Sequence, residues 1–209
     1  MPQDFERRIL QIGKVELRRA GADSKAATIR GYAAKFDTLS EPLYGFREQI
    51  AVGAFDGCLT DDVRALFNHD PNHILGRTAS GTCRLSLDST GLAYEVDLPD
   101  TQCARDLAIA IERGDVSQSS FAFRCAPNGD TWDENDDGVV IRTITKFARL
   151  YDVSPVTYPA YQDTTTGMRA LVEEYRSGRA GDEAATARAS AEQRRHAASR
   201  ARLLRLVAA

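Results

Sequence analysis

Alternation of apolar and polar positions marks most of this chain as β. Cys83 to Asp88 (CRLSLD) and Leu92 to Leu98 (LAYEVDL) alternate clearly, and the turn residues Ser89-Thr90-Gly91 between them make the pair a hairpin. Ala27 to Phe36, Val63 to Phe67, Phe121 to Cys125, Val139 to Phe147 and Arg149 to Val153 also carry strand character, and Val15 to Arg19 alternates weakly, as an edge strand does. One segment keeps the helical period instead. Ala104, Leu107, Ala108 and Ile111 recur on one face of a helix that starts near Asp100 or Thr101, either a good N-cap, and ends at Arg113 with Gly114 as its stop. Many short strands around one or two helices predict an α+β, mainly β chain built on a mostly antiparallel sheet or barrel, not a doubly wound fold.

The pattern changes after about Tyr175. Residues 176–209 are rich in Ala and Arg and hold no aromatic residue and no proline. Asp182 and Glu183 stand where a helix should begin, and Arg194, Arg195, Arg200, Arg202 and Arg205 crowd its far end, in the sense the helix dipole favours. Leu203, Leu204, Leu206 and Val207 form a small apolar tip. The segmentation is therefore an N-terminal arm (1–14), a β-rich body (15–172), and a helical or disordered tail (173–209) that either is simply solvated or docks on a partner.

Composition narrows the class only a little. The 209 residues are 43% hydrophobic and 27% charged with a net charge of −3, ordinary for a soluble globular protein, and nothing calls for nucleic acid as a partner. The opening Met1-Pro2-Gln3-Asp4-Phe5-Glu6-Arg7 has no apolar h-region, and no apolar run approaches a membrane span, so neither export nor a membrane is expected. The four cysteines, Cys58, Cys83, Cys103 and Cys125, form no close pair, which disfavours zinc and fits buried free thiols in a reducing cytoplasm.

Three places carry chemistry. Gly114 to Phe123 (GDVSQSSFAF) sets Ser120 at the start of a strand whose alternation puts Phe121 and Phe123 on one face and Ser120 with small Ala122 on the other, opening onto a cleft; Ser119 and Ser117 are local competitors. Asn68-His69-Asp70 closes another strand, where an imidazole can be held at a cleft edge; of the three histidines, His73 lies in a loop beyond Pro71 and His196 in the tail. Leu150 to Ser154 offers Asp152, with Asp70 and Asp115 the next carboxylates to consider. Serine, histidine and carboxylate are the parts of a hydrolytic triad, although a structural histidine and a buried strand serine bonded to backbone also fit these patterns. Metal fits poorly: Pro71 breaks the His69/His73 helix spacing, and the acidic run Asp133 to Gly138 has Ile144 where a calcium loop needs its closing Glu. Phosphate-binding glycine loops are absent, and no cofactor is expected.

Together these pieces resemble the prohead (procapsid maturation) proteases of tailed bacteriophages over roughly residues 15–172. The resemblance lies in Gly31-Tyr32-Ala33-Ala34-Lys35-Phe36, Gly53-Ala54-Phe55, Asn68-His69-Asp70, Ile74-Leu75-Gly76-Arg77, Gly91-Leu92, Gly114-Asp115-Val116, Ser120-Phe121-Ala122-Phe123, Asp152-Val153-Ser154-Pro155-Val156 and Pro159-Ala160-Tyr161. Ala122 stands where the family often has glycine, and Asp152 where it often has glutamate. The family is similar in fold to the herpesvirus assembly proteases, which implies a compact, mostly antiparallel β-barrel with surrounding helices. It also implies a serine endopeptidase with Ser120 as nucleophile, His69 as general base and Asp152 orienting it, the carboxylate replacing the second histidine of the herpesvirus enzymes. The implied substrates are the scaffold, or the scaffolding segment of the major capsid protein, and the protease itself. The implied setting is the immature capsid within the cytoplasm of a bacterial host, with self-association a further expectation. The alternative is a catalytically inactive capsid-assembly protein that keeps the fold and binds scaffold; a cysteine hydrolase lacks a cysteine placed comparably to Ser120.

Overall fold

The computed structural model describes residues 6–10, 15–19, 27–43, 45–158, 172–179 and 190. By contacts the chain divides into two units, Met1–Thr165 and Thr166–Ala209. In the second unit a helix, α2, spans residues 172–179; His196 and most of the Ala/Arg-rich tail lie outside the described residues.

Among its described residues the first unit holds three sheets, one α-helix and a 3-10 turn at Thr78–Ser80. A five-stranded sheet runs β1 (Glu6–Leu10), β9 (Gln118–Cys125), β12 (Phe147–Val156), β5 (Arg64–Phe67) and β6 (Asp70–Arg77), side by side in that order. All its pairs are antiparallel except β12 with β5. An antiparallel four-stranded sheet orders β2 (Glu16–Arg19), β3 (Ala27–Lys35), β8 (Gly91–Asp97) and β7 (Cys83–Leu87). The third sheet orders β10 (Asp130–Glu134), β11 (Val140–Ile144) and β4 (Phe46–Ile50), the last two parallel. The mainly β expectation therefore stands, but the barrel does not. Closure needs the edge strands of a sheet to pair with each other, and no ladder joins β1 to β6 or β2 to β7 among the described residues.

The core explains why β9 is held firmly. Phe121 and Phe123 stack with ring centroids 5.0 Å apart, and Phe147 lies edge-on to Phe123 at 4.7 Å and within 4.4 Å of Phe55. All four rings are fully or almost fully buried, each contributing about 1.5–3 kcal/mol. The helix α1 (Gln102–Arg113) buries Ala104, Leu107, Ala108 and Ile111, the face read from the sequence. Thr101 caps it by accepting the Ala104 N–H, and Gly114 ends it at φ 83°, a left-handed conformation that glycine adopts without steric cost. The Gly114 and Asp115 amides bond back to the last turn, and the chain then turns into β9.

Candidate active site

Ser120 and Asp152 come together through strand register. Across the β9–β12 ladder Ser120 faces Ser154, and Ala122 faces Asp152. A bulge sets this up. Leu150 pairs with Phe123 while Asp152 pairs with Ala122, so two steps on β12 match one on β9. Leu150 thus joins Phe123 in the core, and Asp152 turns to the Ser120 face, which unbroken alternation from Leu150 would not allow.

His69 arrives differently. β5 and β6 are joined by a two-residue hairpin in which Phe67 pairs with Asp70 and both Asn68 and His69 have positive φ, 55° and 58°. This is the mirror-image turn that tight hairpins prefer, but glycine usually carries it. Asn tolerates the left-handed region and His does so at a cost. Asn68 pins the tip to the end of β12. Its backbone N–H donates to the Pro155 carbonyl (3.1 Å), its side-chain amide donates to Thr157 Oγ1 (3.1 Å), and its Oδ1 accepts the Thr157 N–H (2.8 Å).

The result is a hydrogen-bonded row. His69 Nδ1 lies 2.6 Å from Asp152 Oδ1, and His69 Nε2 lies 2.6 Å from Ser120 Oγ. Ser154 Oγ donates to the same Asp152 oxygen at 2.8 Å. With Nδ1–H directed at the carboxylate, Nε2 keeps its lone pair and accepts the serine proton. Such a row can deprotonate the hydroxyl as it attacks a carbonyl and then hand the proton to a leaving group.

Ser120 and Ser154 are completely buried, and His69 and Asp152 are 7% exposed. The expected opening of Ser120 onto a cleft is thus corrected. β1 lies along the free edge of β9 with Ile9 opposite Ser120, and the Arg8 carbonyl oxygen sits 2.9 Å from Ser120 Oγ, competing with His69 for its single proton.

The other candidates lie elsewhere. Ser119 points away and bonds the Tyr94 hydroxyl at 2.7 Å, while Ser117 is exposed. Asp115 pairs with Arg113 at 2.8 Å, and exposed His73 pairs with Asp70 at 3.2 Å. The acidic run ends in a turn capped by Asn135, whose Oδ1 accepts the Val139 N–H, and no cluster of metal-ligating side chains occurs among the described residues. The Cys58 and Cys83 thiols are buried, which pushes both up to about 11 and leaves them poor nucleophiles at neutral pH.

Ser154 and Asn68 join the site without having stood out in the sequence, although both lie in the short motifs around Asp152 and His69. The i, i+2 spacing of Asp152 and Ser154 on one strand was the signal available. A charged network beside the site did not stand out either. Arg8 Nε bonds Glu48 Oε1 at 2.5 Å, Arg142 Nη1 bonds Glu6 at 2.7 Å and Glu48 at 2.9 Å, and Arg142 Nε bonds Asp130 at 2.6 Å. Burial opposes the charge on Glu6, but the Arg8 and Arg142 guanidiniums outweigh it and hold the carboxyl below the usual carboxylate range.

No curated protein matches the chain. Among solved structures, the bacteriophage T4 capsid assembly protease, gp21, is similar at 11% identity with a TM-score of 0.40, over 74% of this chain and 99% of that one. The caudovirus prohead serine protease family matches residues 13–177, most of the chain, and the protein belongs to that family.

Proposed function

We propose that the protein is a serine endopeptidase of phage head maturation. Its substrates are the scaffold, or the scaffolding segment of the major capsid protein, inside the procapsid, and its own chain. The observation that carries this reading is His69 bonded at 2.6 Å to both Ser120 and Asp152, in a chain of the prohead serine protease family. Ser120 Oγ attacks the peptide carbonyl carbon while His69 Nε2 takes its proton. Asp152, fixed by Ser154, holds the ring and stabilises the imidazolium. The C–N bond then breaks as His69 returns the proton to the leaving amine, and water hydrolyses the acyl-enzyme with the same base. No step calls on a cofactor. No helix among the described residues is long and apolar enough to cross a membrane.

The test is incubation with the capsid and scaffold proteins of the same phage, followed by N-terminal sequencing of the products. The unaltered chain should cut and Ser120→Ala should not, with both folded. Binding of scaffold without cleavage by either chain would support the inactive assembly protein instead.

A further inference from the structure

The strand that covers Ser120 is placed as a peptide substrate would be. Among the described residues β1 is the outer strand of its sheet, antiparallel to β9 from Glu6 opposite Phe123 to Leu10 opposite Ser119. A peptide added to a sheet edge gains affinity from its main chain and specificity from alternate side chains. Along β1, one carbonyl, that of Arg8, reaches the Ser120 hydroxyl. Two alternate side chains, Glu6 and Arg8, enter the charged recess lined by Glu48, Asp130 and Arg142.

The recess is built for such a strand. Glu48 and Arg142 are 4% and 2% exposed, and the Arg8 guanidinium also lies over the Phe123 ring at 5.5 Å. Without β1 it would hold one arginine against two carboxylates, a formal charge of −1 that attracts an incoming cation. The Arg142 fork, bonded to Glu6 through both terminal nitrogens, would then offer donors to an acid two residues earlier.

We propose that β1 occupies the substrate groove. The substrates are extended peptides carrying an acidic residue and, two positions on, an arginine or lysine, whose carbonyl carbon is the one Ser120 attacks. This rests on Ser120 as the nucleophile. Cleavage breaks the bond from that carbonyl carbon to the next residue's nitrogen. β1 is a tethered occupant that substrate displaces, which accounts for the complete burial of Ser120.

The test uses the full chain with Glu6→Gln and Arg8→Gln together. The pair removes one acid and one base and leaves Arg142 bonded to Glu48 and Asp130. In the Ser120→Ala background, a fluorescent peptide copying residues 4–12 should bind. Lysine at the Arg8 position should bind within about threefold, and glutamate there should weaken binding at least about tenfold. Glu48→Gln should erase that discrimination. Binding indifferent to the charge at this position overturns the proposal. With Ser120 intact, the Glu6→Gln/Arg8→Gln chain should react with a serine-directed fluorophosphonate at least about tenfold faster than the unaltered chain. Equal rates overturn the occupancy of the groove by β1. Charge-selective binding with no reaction in any chain overturns Ser120 as nucleophile instead. Hydrogen exchange on the unaltered chain is a second measure. Excess arginine peptide should deprotect residues 6–10 and the glutamate peptide should not; equal deprotection by both overturns the proposal.

Discussion

Ser120 and Asp152 sit on paired strands, whereas His69 sits on the tip of a two-residue turn. The strand residues inherit their positions from the β9–β12 ladder and from the phenylalanines beneath it. His69 has no ladder of its own. It stands at φ 58° on a backbone that disfavours it and is fixed by what its neighbour Asn68 bonds at the end of β12. Both 2.6 Å separations end on His69, so each depends on the few hydrogen bonds that Asn68 makes as well as on the ladder. Errors of about 1 Å in such a row cost about a hundredfold in rate, so the turn is where positioning is most easily lost.

The largest effect should come from the strand side. Asp152→Asn should leave the fold intact and lower kcat about ten-thousand-fold, because the amide favours the wrong imidazole tautomer. Steady-state cleavage of a peptide substrate measures this. Asn68→Ala should come next, with about a hundredfold loss in kcat and about 1–2 kcal/mol in stability by urea unfolding. Asn68→Gly restores the backbone preference without the side-chain bonds and should recover stability more than rate. Full activity in Asn68→Ala would erase the contrast between turn and strand. Ser154→Ala removes a hydrogen bond to the charged carboxylate and should cost about tenfold in kcat, with little change in KM. The smallest effect belongs to Arg84→Ala, on the four-stranded sheet. Arg84 is half-exposed and bonded to Glu95 and Asp97, so its loss should cost less than about 1 kcal/mol and leave cleavage unchanged.

What was legible in the sequence follows the same division. β3, β7, β8 and α1 were readable because their buried positions follow the period of the element, and β5, β9, β11 and β12 because buried apolar residues outnumber the buried Ser119, Ser120, Arg142, Asp152 and Ser154 that three of them also carry. β1, β4 and β10 were not, and all three feed buried charge. In β4 the buried positions are Phe46, Glu48 and Ile50, and the glutamate breaks the apolar alternation because its partners are arginines from distant strands. In β1 the inward residues are Glu6 and Arg8, so the N-terminal arm carried no strand signal. β6 was hidden by Pro71, a strand breaker in a central strand that is tolerated on the edge of the sheet. The residues of the row could be named from short motifs. Their approach could not be read, since it depends on a bulge before Asp152 and a mirror-image turn carried by Asn-His instead of Asn-Gly.

The most direct test of the central claim is the site of covalent capture. The full chain, held for a day with excess fluorophosphonate, is digested and mapped by mass spectrometry. A single adduct on Ser120 is expected, absent in Ser120→Ala and formed at least about a hundredfold more slowly in His69→Ala. An adduct on Ser119 or Ser117, or cleavage of capsid protein by a chain whose Ser120 is never modified, would contradict it.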